Sequence, residues 1–234
     1  MTDSMKKIGL IGGTYNPIHK GHLHLATQAQ KIFNLEKVVF IPAYRSPHKL
    51  TLEPMSGEHR LAMLTLALEG LPLFTIDKIE INKNKISYTI ETLKQLQSDH
   101  PDWKMLLILG ADAFQAIETW KQYSKLLNYC NILVGTRPGS QLQLSELVKN
   151  KLAHRVLGRK NRAINNTTNK KIFKNIEKNI GVTFFQITPL DISSKKIRQK
   201  INRGEEVKNL LPPSVDNYIM RNKLYKNKPP SIKA

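Results

Sequence analysis

KKIGLIGGTYNPIHKGHLHL, residues 6–25, decides how the rest of the chain is read. Its first half is short and apolar and predicts a buried strand that ends at Gly12–Gly13. TYNPIHK then reads as a turn. GHLHLATQAQKIFN has helical spacing, with Leu23, Ala26, Ala29 and Phe33 on one stripe. Two glycines at the end of a strand let the backbone turn tightly and approach a ligand with no Cβ in the way. A helix opening near Gly21 offers unpaired N–H groups and a positive dipole end, which suit a phosphate. His19 and His22 lie three residues apart at that opening and can face one ligand. Their imidazoles can donate to phosphate oxygens as charge moves. Zinc ligation by His19, His22 and His24 is the competing reading, but no cysteine lies nearby and His24 points elsewhere on the helix.

Working outward, KVVFI (37–41), MLLILG (105–110), NILVG (131–135) and TFFQI (183–187) are short apolar segments that predict strands. LFTIDKIEIN (73–82) alternates and is read as a strand as well. Helical patterns lie between them: GEHRLAMLTLALEG, with Gly70 as its C-terminal cap, SYTIETLKQLQSDH, stopped by Pro101, and ADAFQAIETW. SSKKIRQKINRG and SVDNYIMRNKLY close the series. Strands alternating with amphipathic helices imply right-handed crossovers. The expected fold class is α/β, a Rossmann-like doubly wound, mostly parallel sheet with flanking helices. Ligands of such sheets bind beyond the carboxyl ends of the strands, where the topology reverses. Residues 1–225 read as one domain. Within it, 140–180 is a basic insertion rich in Lys and Asn, and 226–234 is a mobile polar tail.

The chain has 234 residues and a formal charge of +19, a field that attracts anions. Residues 149–203 hold fifteen Lys or Arg against Glu177 and Asp191. A basic nucleic-acid-binding protein is therefore the rival class, but no interleaved aromatic platform accompanies the charge, and no nucleic-acid partner is expected. Cys130, the sole cysteine, sits in an apolar run and reads as a small buried hydrophobe. No apolar stretch near the N-terminus is long enough for a signal core or a membrane span, so no membrane partner and a cytoplasmic location are expected. Homo-oligomer formation stays open.

The turn at 12–22 matches the pattern GGT(F/Y)(D/N)PxHxGH. It resembles the HxGH signature of the nucleotidylyltransferases. Further landmarks follow in order: SPHK at 46–49, HRLAM at 59–63, SYTIETL at 87–93, GAD at 110–112, Trp120, RPG at 137–139, DISSKKIR at 191–198 and LLPPSVDNYI at 210–219. Together they are similar to the bacterial nicotinate-nucleotide adenylyltransferase family over nearly the whole chain.

The resemblance implies ATP and nicotinate mononucleotide as substrates, with Mg²⁺ carried mainly by the ATP phosphates and no metal held by protein ligands. It implies that His19 and His22 bind the ATP phosphates, that Gly12, Gly13 and Thr14 line the phosphate turn, and that Ser193, Ser194 and Arg198 clamp the triphosphate. His19, His22 and Arg198 are the catalytic candidates. Asp112 would contact a ribose, Arg137 the nucleotide and Lys49 the phosphate of the pyridine nucleotide. Ser87, Tyr88, Thr89 and Trp120 would hold the nicotinate ring. The residue chemistry agrees: hydroxyls and free amides at a helix start favour an anion, and a guanidinium fork fits phosphate. Three positions depart from the pattern. Asn16 stands where Asp is common, Lys195 where SST is usual, and Lys121 where a second aromatic often follows the tryptophan.

The implied reaction is in-line attack of the mononucleotide phosphate on the α-phosphorus of ATP, with no covalent intermediate. Other HxGH transferases, such as pantetheine-phosphate adenylyltransferase or a cytidylyltransferase, are the rivals within enzymes. A redox dinucleotide fold is disfavoured because no GxGxxG follows the first strand.

Overall fold

A computed structural model describes residues 5–47, 55–136, 181–188 and 190–226. The elements, in order, are β1 (Lys6–Gly13), α1 (Lys20–Phe33), β2 (Lys37–Pro42), α2 (Gly57–Leu68), β3 (Phe74–Ile76), α3 (Ile79–Asn82), α4 (Thr89–Asp99), β4 (Trp103–Gly110) and α5 (Ala111–Gln115). Two 3₁₀ segments, Ile117–Thr119 and Tyr123–Asn128, lead into β5 (Asn131–Thr136). β6 (Val182–Gln186), α6 (Ser194–Asn202) and α7 (Pro213–Arg221) complete them. The expected basic insertion, 140–180, lies outside the described residues, as does the expected tail, 226–234, apart from Lys226.

The six strands form one sheet in the order β3-β2-β1-β4-β5-β6, and every neighbouring pair is parallel. The chain therefore winds outward from β1 through β2 to β3, returns to lay β4 beside β1, and winds the other way to β6. The reversal falls between β1 and β4, so their carboxyl ends, Gly12–Gly13 and Gly110, frame the crevice where such sheets bind ligands.

Strand alternation divides the core into two layers. Ile11, Val38, Phe40, Leu106, Ile108, Leu133 and Phe185 face α1, α2, α6 and α7. Ile8, Leu10, Val39, Ile41, Leu107, Leu109, Ile132 and Val134 face α4, α5 and the 3₁₀ segments. Successive side chains point to opposite faces, so one apolar strand supplies both layers. The predicted α1 stripe is borne out: Ala26, Ala29 and Phe33 are buried and Leu23 packs against them. Cys130 is buried, and burial pushes its thiol up to about 12, as a core hydrophobe requires. Among the described residues no helix is long and apolar enough to cross a membrane.

The strand expected over 73–82 is a correction. Only Phe74–Ile76 pairs with β2. Beyond it, the Asp77 carboxylate accepts the Ile79 N–H at 2.8 Å and starts the helical turn of α3. An aspartate that caps its own backbone two residues on defeats the period-two pattern.

Arg60, on α2, ties the carboxyl edge of the sheet together. It is 1% exposed. Its Nε donates to the Met55 carbonyl at 2.9 Å, Nη1 to Thr14 at 2.9 Å and to Ala43 at 2.6 Å, and Nη2 to Tyr44 at 3.1 Å. One planar fork thereby joins the turn after β1, the chain leaving β2 and the start of α2. A Lys has three donors on one atom and does not span the same four acceptors. Replacing Arg60 with Met leaves buried carbonyls unpaired, and we expect a loss of about 3–5 kcal/mol. Urea unfolding of Arg60→Met and Arg60→Lys checks this: both midpoints fall, and Lys recovers only part of the loss.

Candidate active site

The turn after β1 is shaped by Tyr15. Its backbone adopts φ 49°, and its hydroxyl donates to the Ile11 carbonyl at 2.6 Å. The ring is thus drawn back beneath the glycines. A Cβ on Gly13 would lie 2.9 Å from Tyr15 Cε1, so the second glycine is required by close approach. Burial, reinforced by the Glu80 charge, holds the Tyr15 phenol well above its usual range, so it stays a neutral donor.

His19 is the N-cap of α1 and His22 is its third residue. The His19 N–H donates to Nδ1 of His22 at 3.2 Å, which assigns the proton of the neutral His22 ring to Nε2. The two rings stack at 3.7 Å, and Tyr15 meets His22 edge-on at 5.2 Å. His19 is buried, and its Nδ1 has no hydrogen-bond partner. Burial lowers its pKa to about 4, so the ring is neutral at pH 7. A Cβ on Gly21 would stand 3.0 Å from that Nδ1. The glycine between the two histidines therefore leaves room for the first imidazole.

The start of α6 meets this turn. Ser193 caps α6, with its Oγ accepting the Lys196 N–H at 3.2 Å. Ser194 Oγ donates to the Pro17 carbonyl at 2.9 Å, and Arg198 Nη1 donates to the Asn16 carbonyl at 2.7 Å. Tyr225, just beyond α7, donates its hydroxyl to Asn16 Oδ1 at 2.8 Å. The two segments that the sequence assigns to one polyphosphate thus lie in hydrogen-bond contact. Asn16 keeps a side-chain acceptor for Tyr225 where an aspartate would bring a charge, and Lys195 is exposed in the first turn of α6.

On the opposite face of the sheet is a cavity of about 240 Å³. Leu10, Gly12, Gly13 and Thr14 form its floor, and Ser87, Tyr88, Thr89 and Trp120 lie in its wall. Ser87 Oγ accepts the Tyr44 N–H at 3.1 Å, and the Ser87 N–H donates to the Arg45 carbonyl at 2.9 Å. These bonds pin the start of α4 to the loop after β2. Thr89 opens α4, so unpaired amides of the first turn lie at the cavity wall. Asp112 is exposed in the first turn of α5, at the end of β4. Lys49 and Arg137 lie outside the described residues.

The structure therefore sorts the described candidates, apart from the exposed Asp112, into two groups on either side of the turn that leaves β1. One holds His19, His22, Ser193, Ser194 and Arg198, all donors to anionic oxygen. The other is an apolar, aromatic-walled cavity. Sequence reasoning gave no role to Arg60, Tyr15, Glu80 or Tyr225. Arg60 had a signal: it stands three and four residues before Met63 and Leu64, on the apolar stripe of its own helix. Glu80, a buried carboxyl in the cavity wall, had none, because it sits between two isoleucines in a segment that mimics a strand.

A cytidylyltransferase-like family profile matches residues 10–200. Over 224 residues the chain is 36% identical to a protein of Desulfatibacillum aliphaticivorans named probable nicotinate-nucleotide adenylyltransferase, covering 94% of this chain and 99% of that one. A protein of Geotalea daltonii with the same name is 36% identical over 222 residues, with 94% and 98% covered. Among solved structures, the Plasmodium falciparum nicotinic acid mononucleotide adenylyltransferase complexed with NaAD superposes with a TM-score of 0.68 at 18% identity, covering 94% of this chain and 97% of that one. That similarity shows the fold. The matched profile and the two bacterial relatives show the family: the chain belongs to the cytidylyltransferase-like nucleotidyltransferases and, within them, to the nicotinate-nucleotide adenylyltransferases.

Proposed function

We propose that the protein joins the adenylyl group of ATP to nicotinate mononucleotide, giving nicotinate adenine dinucleotide and pyrophosphate, a step of NAD biosynthesis. One observation carries this reading: the turn that leaves β1 lines an aromatic-walled cavity with Gly12, Gly13 and Thr14 and, a few residues on, is bonded at Asn16 and Pro17 by Arg198 and Ser194, groups suited to phosphate. A reaction that joins two nucleotides through their phosphates needs that juxtaposition. The names of the bacterial relatives agree with it.

A phosphate oxygen of the mononucleotide attacks the α-phosphorus in line. The bond from the α-phosphorus to the bridging oxygen breaks, and pyrophosphate leaves with the negative charge. The nucleophile is already anionic, so no general base and no covalent intermediate are required. Catalysis is then alignment together with neutralisation of developing charge. His22 Nε2, the His19 ring, the amides of Gly12–Thr14 and of the α6 start, and Arg198 do this in the present reading. Arg198 already donates to Asn16, and its remaining guanidinium donors are available to the triphosphate. The donors at this turn are imidazoles, hydroxyls and a guanidinium, which suit phosphate oxygen better than a hard cation. Mg²⁺ would accordingly be carried by the ATP phosphates and water, where it would offset the charge of the leaving pyrophosphate. Trp120 stacks on the pyridine ring, Asp112 accepts from a ribose, and Lys49 and Arg137 contact phosphate and nucleotide.

Incubation with ATP and, in turn, nicotinate mononucleotide, its amide analogue and phosphopantetheine tests the assignment. Nicotinate adenine dinucleotide is the product expected at the highest kcat/KM; transfer only to phosphopantetheine, or to none of the three, rejects it. His22→Ala is expected to lower kcat by roughly 10²–10³-fold, the loss of one preorganised donor, while stability falls only by the lost capping bond, about 1 kcal/mol in urea unfolding.

His19 yields a pH prediction. Its folded pKa lies below its unfolded value, so its contribution to stability is complete above about 6.5 and is lost as pH falls through about 4. The whole shift corresponds to a loss on the order of 3 kcal/mol. In unfolding measured without ligand from pH 7 to 4, wild type is expected to lose stability relative to His19→Asn across that window. Parallel curves for the two proteins would rule the protonation out.

A further inference from the structure

We propose that Lys121 is a specificity-determining residue that selects a pyridine nucleotide bearing a ring carboxylate over one bearing a carboxamide. The inference rests on the adenylyl-transfer reading above and names what discriminates within its ring cavity.

Among the described residues lining that cavity, Lys121 is the one cation and Glu80 the one acid. The two differ in what they offer a ligand. Glu80 is buried, and its Oε1 accepts the Thr92 hydroxyl at 2.6 Å. Burial raises its pKa, which favours the uncharged acid. Lys121 follows Trp120, and its Nζ stands 4.3 Å from the centroid of the Tyr88 ring while meeting Glu91 Oε1 at 2.6 Å. The aromatic face and the Glu91 carboxylate fix the ammonium beside the start of α4. An ammonium has three donors, and Glu91 takes one. Side chains of both partners are about half exposed, so the ion pair itself adds little to stability and does not bury the charge. The free amides opening α4 point the same way, since a helix start favours an anion.

A ring carboxylate placed against Trp120 then meets a held positive charge as well as backbone donors, whereas a carboxamide presents no charge to it. The acid-to-amide preference of this chain thus depends on the Lys121 side chain.

The test compares kcat/KM for nicotinate and nicotinamide mononucleotide in wild type, Lys121→Met and Lys121→Arg. Met keeps the aliphatic stem and removes the charge. The expected result is a fall of roughly 10- to 100-fold for the acid, the loss of a hydrogen bond to a charged group, expressed in KM. The amide and ATP values stay within about twofold, and Arg recovers most of the loss. An equal loss on both pyridine nucleotides assigns Lys121 to packing and overturns the proposal, as does an unchanged acid-to-amide ratio. Wild-type protein that turns over neither nucleotide overturns the functional reading beneath it; wild-type turnover with an unchanged ratio in Lys121→Met overturns the selectivity inference alone.

Discussion

A guanidinium sealed inside the protein holds the catalytic edge in shape. Parallel strands end with their carbonyls and following amides turned toward the same rim, and those groups stay open for a ligand only if the loops between them do not collapse. Arg60 prevents collapse from below. It takes up the carbonyls of Thr14, Ala43, Tyr44 and Met55 and leaves the opposite surface of each loop facing outward. Removing a buried charged donor costs several kcal/mol because its acceptors are stranded. That cost makes the loops behave as one rigid unit, and preorganised dipoles require such rigidity.

From that edge the two halves of the site differ in electrostatic character. On the α1–α6 face the groups nearest the turn are buried and neutral: His19 with a pKa near 4, and Tyr15 with its phenol held protonated. A buried imidazole is least costly when neutral, because burial penalises the charged ring. On the α4 face the cavity is mostly apolar, with hydroxyls tied back into the protein by Tyr44 and Glu80, so little of its wall competes for water.

The sequence made much of this legible because strand–turn–helix units have local signatures. Gly12–Gly13 after an apolar run, and two histidines about a glycine, located the rim, and Ser193–Arg198 located its partner; the bonds Ser194–Pro17 and Arg198–Asn16 bring the two segments together. Where reading failed, the cause was nonlocal or competing. Ile79-Glu80-Ile81 alternates like a strand, but Asp77 caps the backbone and turns it. Tyr225 reaches Asn16 across 209 positions, a pairing that no spacing rule contains. Arg60 shows the intermediate case. Its place on an apolar stripe was visible, but which carbonyls it would meet depends on three loops arriving together.

The charge of the chain acquires a division of labour in α6. Ile197 and Ile201 are buried in the core layer below, which fixes the rotation of the helix. That rotation sends Lys196 and Lys200 to exposed carboxylates, Asp191 and Glu205, where ion pairs are screened and weak. It brings Arg198, adjacent to Ile197, onto the turn after β1. In the proposed reading phosphate is met by the single guanidinium within α6, Arg198, whereas the neighbouring lysines contribute to the long-range field that raises the local concentration of a polyanion. Proximity of charge in sequence is a poor guide to which cation touches the ligand; the helical phase set by two isoleucines decides it.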